Sequence, residues 1–284
     1  MLQVTSFKEQ VGRAVLPLGR GARRGSGVVV SQDRVIAMTH SLTGSEVELR
    51  SAGDVVKGAV EGTDRIVGIS LIAAPTGEVA PITWADRVPE LGAVVVALGN
   101  PGTGLRITEG RVSAEPLSLR GRSGRLLEGI EHTAPLPRGS TGGPLLNADG
   151  EVVGINVLRT DPGFLFAVGT ATLRPAVERL LSGAPEPARL GVAIAPPRFA
   201  RKLRGAVGLP ERDGLLVRDV EPESAAARAG VQRGDLIVGL GAVEIGSVDA
   251  LFGALEACAS EATVLRLVRG VDDIEVTVDL RGEA

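Results

Sequence analysis

The sequence predicts a mostly β chain, with two β-rich units followed by a smaller α+β unit. Three observations predict it. Short Val, Ile, Leu and Ala runs are punctuated by turn residues throughout, with 39 Gly and 17 Pro in 284 residues, as many short strands require. Polar and apolar residues alternate in stretches such as Ser45-Glu46-Val47-Glu48-Leu49-Arg50, the pattern of a half-buried strand. Helical spacing of apolar residues is clear over residues 173–181 (Leu173, Val177, Leu180, Leu181) and again in the last third (Leu251, Phe252, Leu255).

Taken in order, residues 5–16 begin polar and turn apolar, an entry segment or short helix. Residues 25–30 form a glycine-led strand, and the next strand, residues 34–38, runs into Thr39-His40. Residues 45–50, 55–62 and 66–74 complete a first set of about six strands, enough to close a small barrel. A second set begins near Leu91 and uses residues 91–98, 107–114, 129–133, 151–158 and 164–169, with a polar Arg/Gly loop before residue 129. The helix at 173–181 ends this unit. Gly183-Ala184-Pro185-Glu186-Pro187-Ala188 reads as a linker, because its prolines can continue neither helix nor ladder.

The composition excludes several function classes. A hydrophobic share of 44% supplies real cores, and with no Tyr, one Trp and five Phe those cores are aliphatic. A net charge of −3 argues against a dedicated nucleic-acid binder. The arginine groups at 20, 23 and 24 and at 120, 122 and 125 lie in Gly/Ser-rich loops without aromatics, which suits solvated loops. Cys258 has no intrachain partner and reads as a buried structural thiol. Two His (His40, His132) and no spaced carboxylate cluster argue against a metal, and no phosphate-loop or dinucleotide motif argues for a cofactor. The first residues lack a basic start and apolar run, and the longest apolar stretch is too short to span a bilayer. The chain as written is therefore expected in the cytoplasm, or exported if its start is missing.

The most informative stretch is Arg138-Gly139-Ser140-Thr141-Gly142-Gly143-Pro144-Leu145-Leu146, followed by Gly150-Glu151-Val152-Val153-Gly154-Ile155-Asn156. A tight glycine turn between apolar strands lifts one side chain and turns backbone N–H groups toward a carbonyl oxygen. This run resembles the nucleophile loop of the HtrA/Deg family of serine proteases, whose pattern here reads Gly-Asn-Ser-Gly-Gly-Pro-Leu. The resemblance implies a trypsin-like double β-barrel over residues 1–182, as two six-stranded barrels at about 1–88 and 89–182. It also implies a linker at 183–188 and a PDZ domain over 189–284. By the same resemblance the catalytic base is His40, the nucleophile position is Thr141, and the oxyanion pocket uses the Gly139 and Thr141 amides. The position of the orienting aspartate, just after the Gly62-Thr63-Asp64 turn, is held by Gly68. Asp64 lies four residues away, about 13 Å along an extended chain, and reads as a turn-capping residue. Ser140 has a hydroxyl one residue out of line, and reads as a turn residue.

These departures bear on activity. Loss of the orienting carboxylate alone lowers turnover about 10⁴-fold in a well-studied triad. A β-branched nucleophile is further restricted at χ1. The expectation is a protease homologue without effective catalysis, set against an active endopeptidase of protein quality control that uses Thr141 and His40, and against a PDZ adaptor.

Residues 214–237, with Gly214-Leu215-Leu216-Val217 and the run from Glu221 through Gly234-Asp235-Leu236-Ile237, resemble the PDZ domain of the same proteases. PDZ domains take a peptide as an added strand and hold its free carboxylate in a backbone loop. The resemblance implies a groove made of Leu190, Gly191, Val192, Ala193 and Ile194, with Leu251 and Leu255 on the opposite wall. Its implied partners are peptides, unfolded proteins and free C-termini, and the family also implies a homotrimer.

Overall fold

The computed structural model describes residues 7, 11–19, 24–51, 53–121, 126–184, 189–195, 197–258 and 262–280. The chain divides into two compact units, Met1–Ala184 and Pro185–Ala284.

In the first unit, strands β1 (Val15–Leu18), β2 (Gly25–Ser31), β3 (Arg34–Met38), β4 (Glu46–Ser51), β5 (Asp54–Asp64) and β6 (Ile69–Ala73) close a barrel in the order β1-β2-β3-β6-β5-β4. The apolar entry segment supplies β1, which meets β4 at Leu18 and Leu49 and so closes the ring. Closure and packing bury side chains on both faces of β2: Val28 and Val29 are almost inaccessible, as are Val35, Leu49 and Ile72.

The expected second six-stranded barrel is corrected to a seven-stranded sheet. Strands β7 (Val94–Gly99), β8 (Arg106–Arg111), β9 (Leu117–Arg120), β10 (Leu126–His132), β11 (Pro144–Leu146), β12 (Val152–Asp161) and β13 (Phe164–Gly169) run in the order β8-β7-β11-β12-β13-β10-β9. The extra strand is β9, in the stretch read as a polar loop, which pairs with β10. The sheet still curls on itself. Val112, just beyond β8, bridges His132 of β10, and the Thr133 N–H donates to the Arg111 carbonyl at 3.0 Å. The helix Thr170–Ser182 then packs on β10, β12 and β13 and also on β5 and β6, so it spans both sheets. One apolar cluster, from Val28 and Ile72 to Leu146, Phe166 and Leu173, links the barrel to the sheet and helix, and a second, with Val95, Ile130 and Leu145, lies within the sheet.

Residues 66–68, read as the start of a strand, form a turn instead. The buried Asp64 carboxylate accepts the Ile66 and Val67 N–H groups, both at 2.9 Å, and so captures donors that a ladder would need.

The second unit is a six-stranded sheet: β14 (Val192–Ala195), β15 (Leu215–Val220), β16 (Leu236–Leu240), β18 (Ala262–Arg269) and β19 (Asp272–Asp279) in that order, with β17 (Val243–Glu244) on β16. Helices Pro197–Ala206, Ala225–Arg228 and Val248–Ala257 complete it. Ser224 and Ser247 cap the last two, each accepting an N–H at 3.1 Å. The Gly234-Asp235 turn before β16 is fixed by a fork: Arg269 Nε and Nη2 donate to the two Asp235 oxygens at 2.8 Å. The bond to Asp235 raises the Arg269 pKa above its ordinary value. Cys258, expected buried, is half-buried at the end of its helix. Pro185-Glu186-Pro187-Ala188 of the expected linker, with Arg20, Arg23, Arg122 and Arg125 of the basic groups, lie outside the described residues.

Candidate functional site

His40 stands in a short 3-10 turn, Thr39–Ser41, at the end of β3, and its side chain is exposed. Three bonds fix that turn. The Thr39 N–H donates to the Gly68 carbonyl at 2.8 Å, and the hydroxyls of Thr39, Ser70 and Thr63 form a chain at 3.0 and 2.9 Å. Gly68 is thereby held against the backbone of the His40 turn. It carries no side chain, and its φ of +80° is the left-handed conformation that favours glycine. His40, Gly68, Met38 and Phe166 line a cavity of about 430 Å³.

The sequence-predicted neighbour of Gly68, Asp64, is fully committed. Besides the two turn N–H groups, its carboxylate receives the Arg179 guanidinium from the helix Thr170–Ser182. It is wholly buried. The turn-capping reading of Asp64 thus acquires an ionic partner that no local pattern announces.

Thr141 lies across from this on the loop before β11. The Ser140 N–H donates to the Pro137 carbonyl at 3.3 Å, and Gly139 at the third position has φ +86°. That combination is the requirement of a type II turn. Among the described residues the Gly139 and Thr141 N–H groups make no hydrogen bond within the fold. Gly142 and Gly143 follow because nothing larger fits. A Cβ on Gly142 would lie 2.2 Å from the Ser26 carbonyl oxygen, and one on Gly143 2.0 Å from that of Leu98.

The start of β2 brings the two halves together. The Ser26 N–H donates to the Thr141 carbonyl at 2.7 Å, and Ser26 Oγ accepts the Asn100 N–H at 2.8 Å. A Cβ on Gly25 would meet Ser41 Oγ, next to His40, at 2.8 Å and the Thr141 carbonyl at 3.2 Å. Gly25-Ser26-Gly27 is therefore the seam along which the His40 turn and the Thr141 loop converge. Ser140 turns the other way: it is 2% exposed, packs against Gly99, and its hydroxyl has no partner.

Beneath the loop lies a pair that sequence reasoning missed. Asn156 donates from Nδ2 to the Gly143 carbonyl at 2.8 Å, which leaves its Oδ1 as an acceptor 2.7 Å from His132 Nε2. The imidazole thus donates from Nε2, and its buried Nδ1 is unpaired. Burial pushes the His132 pKa below its ordinary value, opposed by the Asn156 bond and the Glu131 charge. Among the described residues no group of three or more His, Cys, Asp or Glu is placed to hold a metal.

In the second unit Leu190, Leu251 and Leu255 are 3 to 4% exposed and belong to its core, whereas Val192 and Ile194 are half-buried and Ala193 is exposed. Gly191 has φ +75°, and its carbonyl accepts the Glu221 N–H at 2.8 Å. Within its unit β14 ends the sheet, paired on one side with β15.

Two compact β units of this kind, the first with a glycine-turned hydroxyl loop, define a trypsin-like peptidase domain followed by a PDZ domain. The corresponding family models match residues 25–155 and 216–269. HhoA of Synechocystis sp., which carries the name of a serine protease, is 32% identical over 296 residues, covering 96% of this chain and 75% of HhoA. Serine protease HTRA1 of Xenopus tropicalis is 28% identical over 281 residues, or 90% of this chain, which spans 60% of that protein. A solved structure of the HtrA-type protease AlgW with a decapeptide aligns over 99% of this chain and all of that one, with a TM-score of 0.73 at 20% identity, a likeness of fold. The chain belongs to the HtrA family of serine proteases. Among the described residues no helix is long and apolar enough to cross a membrane.

Proposed function

We propose that this HtrA-family protein holds extended peptides beside Thr141 without turning them over, and takes free C-termini on its second unit. One observation carries the reading. The backbone beside the His40 turn, where a carboxylate is needed to orient an imidazole, belongs to Gly68, and the nearest carboxylate in sequence is locked into its own turn by two N–H groups and Arg179. Glycine at 68 supplies no anion of its own, and Thr141 is a stiff nucleophile. The decapeptide held by AlgW favours peptides as the ligand class, and the outer edge of β14 suits an added strand.

A fluorogenic-peptide assay tests this on the full chain. The parent and Thr141→Ser should be silent, and Thr141→Ser/Gly68→Asp should gain turnover. Parent activity that disappears in His40→Ala would overturn the proposal and favour a slow peptidase, the reading supported by the uncommitted Gly139 and Thr141 amides. For the second unit, amidating the peptide C-terminus is a cleaner probe than changing Leu190 or Gly191. Leu190 is core, and a Cβ on Gly191 would lie 2.2 Å from that of Ser224.

A further inference from the structure

We infer that the pocket beside Thr141 selects an acidic side chain of the bound peptide, read by Arg138 and Arg159. This rests on the peptide-holding reading of the same site. The pocket is about 340 Å³, with Leu136, Leu165 and Thr141 in its walls, and no Asp or Glu lines it. Both arginines do.

Neither guanidinium is neutralised within the fold. Eight arginines elsewhere each face a carboxylate within 4 Å, and Arg138 and Arg159 are among those that have no ion-pair partner among the described residues. Arg159 is also held in place. Its Nη2 donates to the Leu136 carbonyl at 3.3 Å, tying β12 to the loop that leads into the Thr141 turn and leaving the rest of its fork for a ligand. Arg138 occupies the second position of that turn, beside the uncommitted Gly139 and Thr141 amides.

Two guanidiniums at a partly apolar pocket without carboxylates form an anion site with room for a methylene stem. A glutamate or aspartate side chain meets both demands: its stem packs on leucines and its carboxylate accepts the forks. A lysine in the same place would meet two like charges.

The test uses the full chain and fluorescein-labelled, C-terminally amidated peptides that differ at one central residue, Glu, Gln, Leu or Lys, read by anisotropy. Glu should bind about tenfold more tightly than Gln, the difference a charge-assisted bond makes, and added salt should shrink that margin. Arg138→Gln and Arg159→Gln should each narrow it, the double variant should abolish it, and Arg159→Lys should restore part of it, all with unchanged melting. Equal binding of Glu and Gln, or a preference that survives in the double variant, overturns the acidic specificity alone. Failure of every amidated peptide to bind overturns the peptide-holding reading and this inference with it.

Discussion

In the turn between β5 and β6 a single carboxylate organises the backbone: Asp64 gathers the Ile66 and Val67 N–H groups and the Arg179 guanidinium. In the loop before β11 the backbone is organised by what is missing. Gly142 and Gly143 let the chain pass against the Ser26 and Leu98 carbonyls, and the bonds that hold it come from the backbone of β2 and β12 and from the neutral Asn156 amide. The first turn therefore depends on one charged side chain, the second on glycines that let backbone and a neutral amide close on it. The comparison teaches how one protease fold sets two loops by different physical means. The glycines at 68, 142 and 143 are constrained by backbone conformation and packing, whereas no packing contact of this kind dictates the hydroxyl at 141.

The largest effect that sharpens this contrast is expected at Asp64. Asp64→Ala strands two buried N–H groups and an arginine, and should cost about 3–5 kcal/mol in urea denaturation. Asp64→Asn, which keeps an acceptor, should cost less. A loss under about 1 kcal/mol for the alanine variant would mean that the backbone carries this turn too. On the Thr141 side, Gly143→Ala drives a methyl to 2.0 Å from the Leu98 oxygen and should cost about 1–3 kcal/mol or more. A neutral result there would break the claim that the loop tolerates no side chain.

The smallest effect is the pH response of His132 beneath the loop. Its imidazole takes up a proton less readily folded than unfolded, because burial disfavours the cation. Its contribution is then fully present above the ordinary histidine pKa of about 6.5, and is lost as pH falls from there toward the lowered folded value. The slope from this one group is at most about 1.4 kcal/mol per pH unit. Denaturant titrations at pH 7 and pH 5.5 should show a smaller difference for His132→Phe than for the parent. Equal differences would remove His132 from the loop's pH response.

The β character of the chain was legible from its punctuation and alternation, and Gly25-Ser26-Gly27 and the Gly-Gly-Pro loop marked two segments that the fold brings together at β2. The seventh strand was not. The residues of β9 are interrupted by serine and arginine, and only pairing with β10 makes them extended. The turn at 66–68 was hidden because Ile66 and Val67 have the composition of a strand. In the second unit, Leu251 and Leu255 carry the apolar stripe of a helix, and the same stripe suits a core as well as a groove wall.

The amino-acid order alone determined where the backbone has to bend and which functional groups are present: glycines at 68, 139, 142 and 143, an imidazole at 40, a β-branched hydroxyl at 141. Such information is local, since a residue's conformational freedom and chemistry travel with it. Tertiary structure alone decided that Arg179, 115 positions along the chain, closes on Asp64, that Asn156 joins His132 to the Gly143 carbonyl, and that Arg138 and Arg159 share a pocket without a counter-ion. Contacts at that separation leave no periodic trace in the sequence, because many different partners satisfy the same local pattern and only the folded barrels select one.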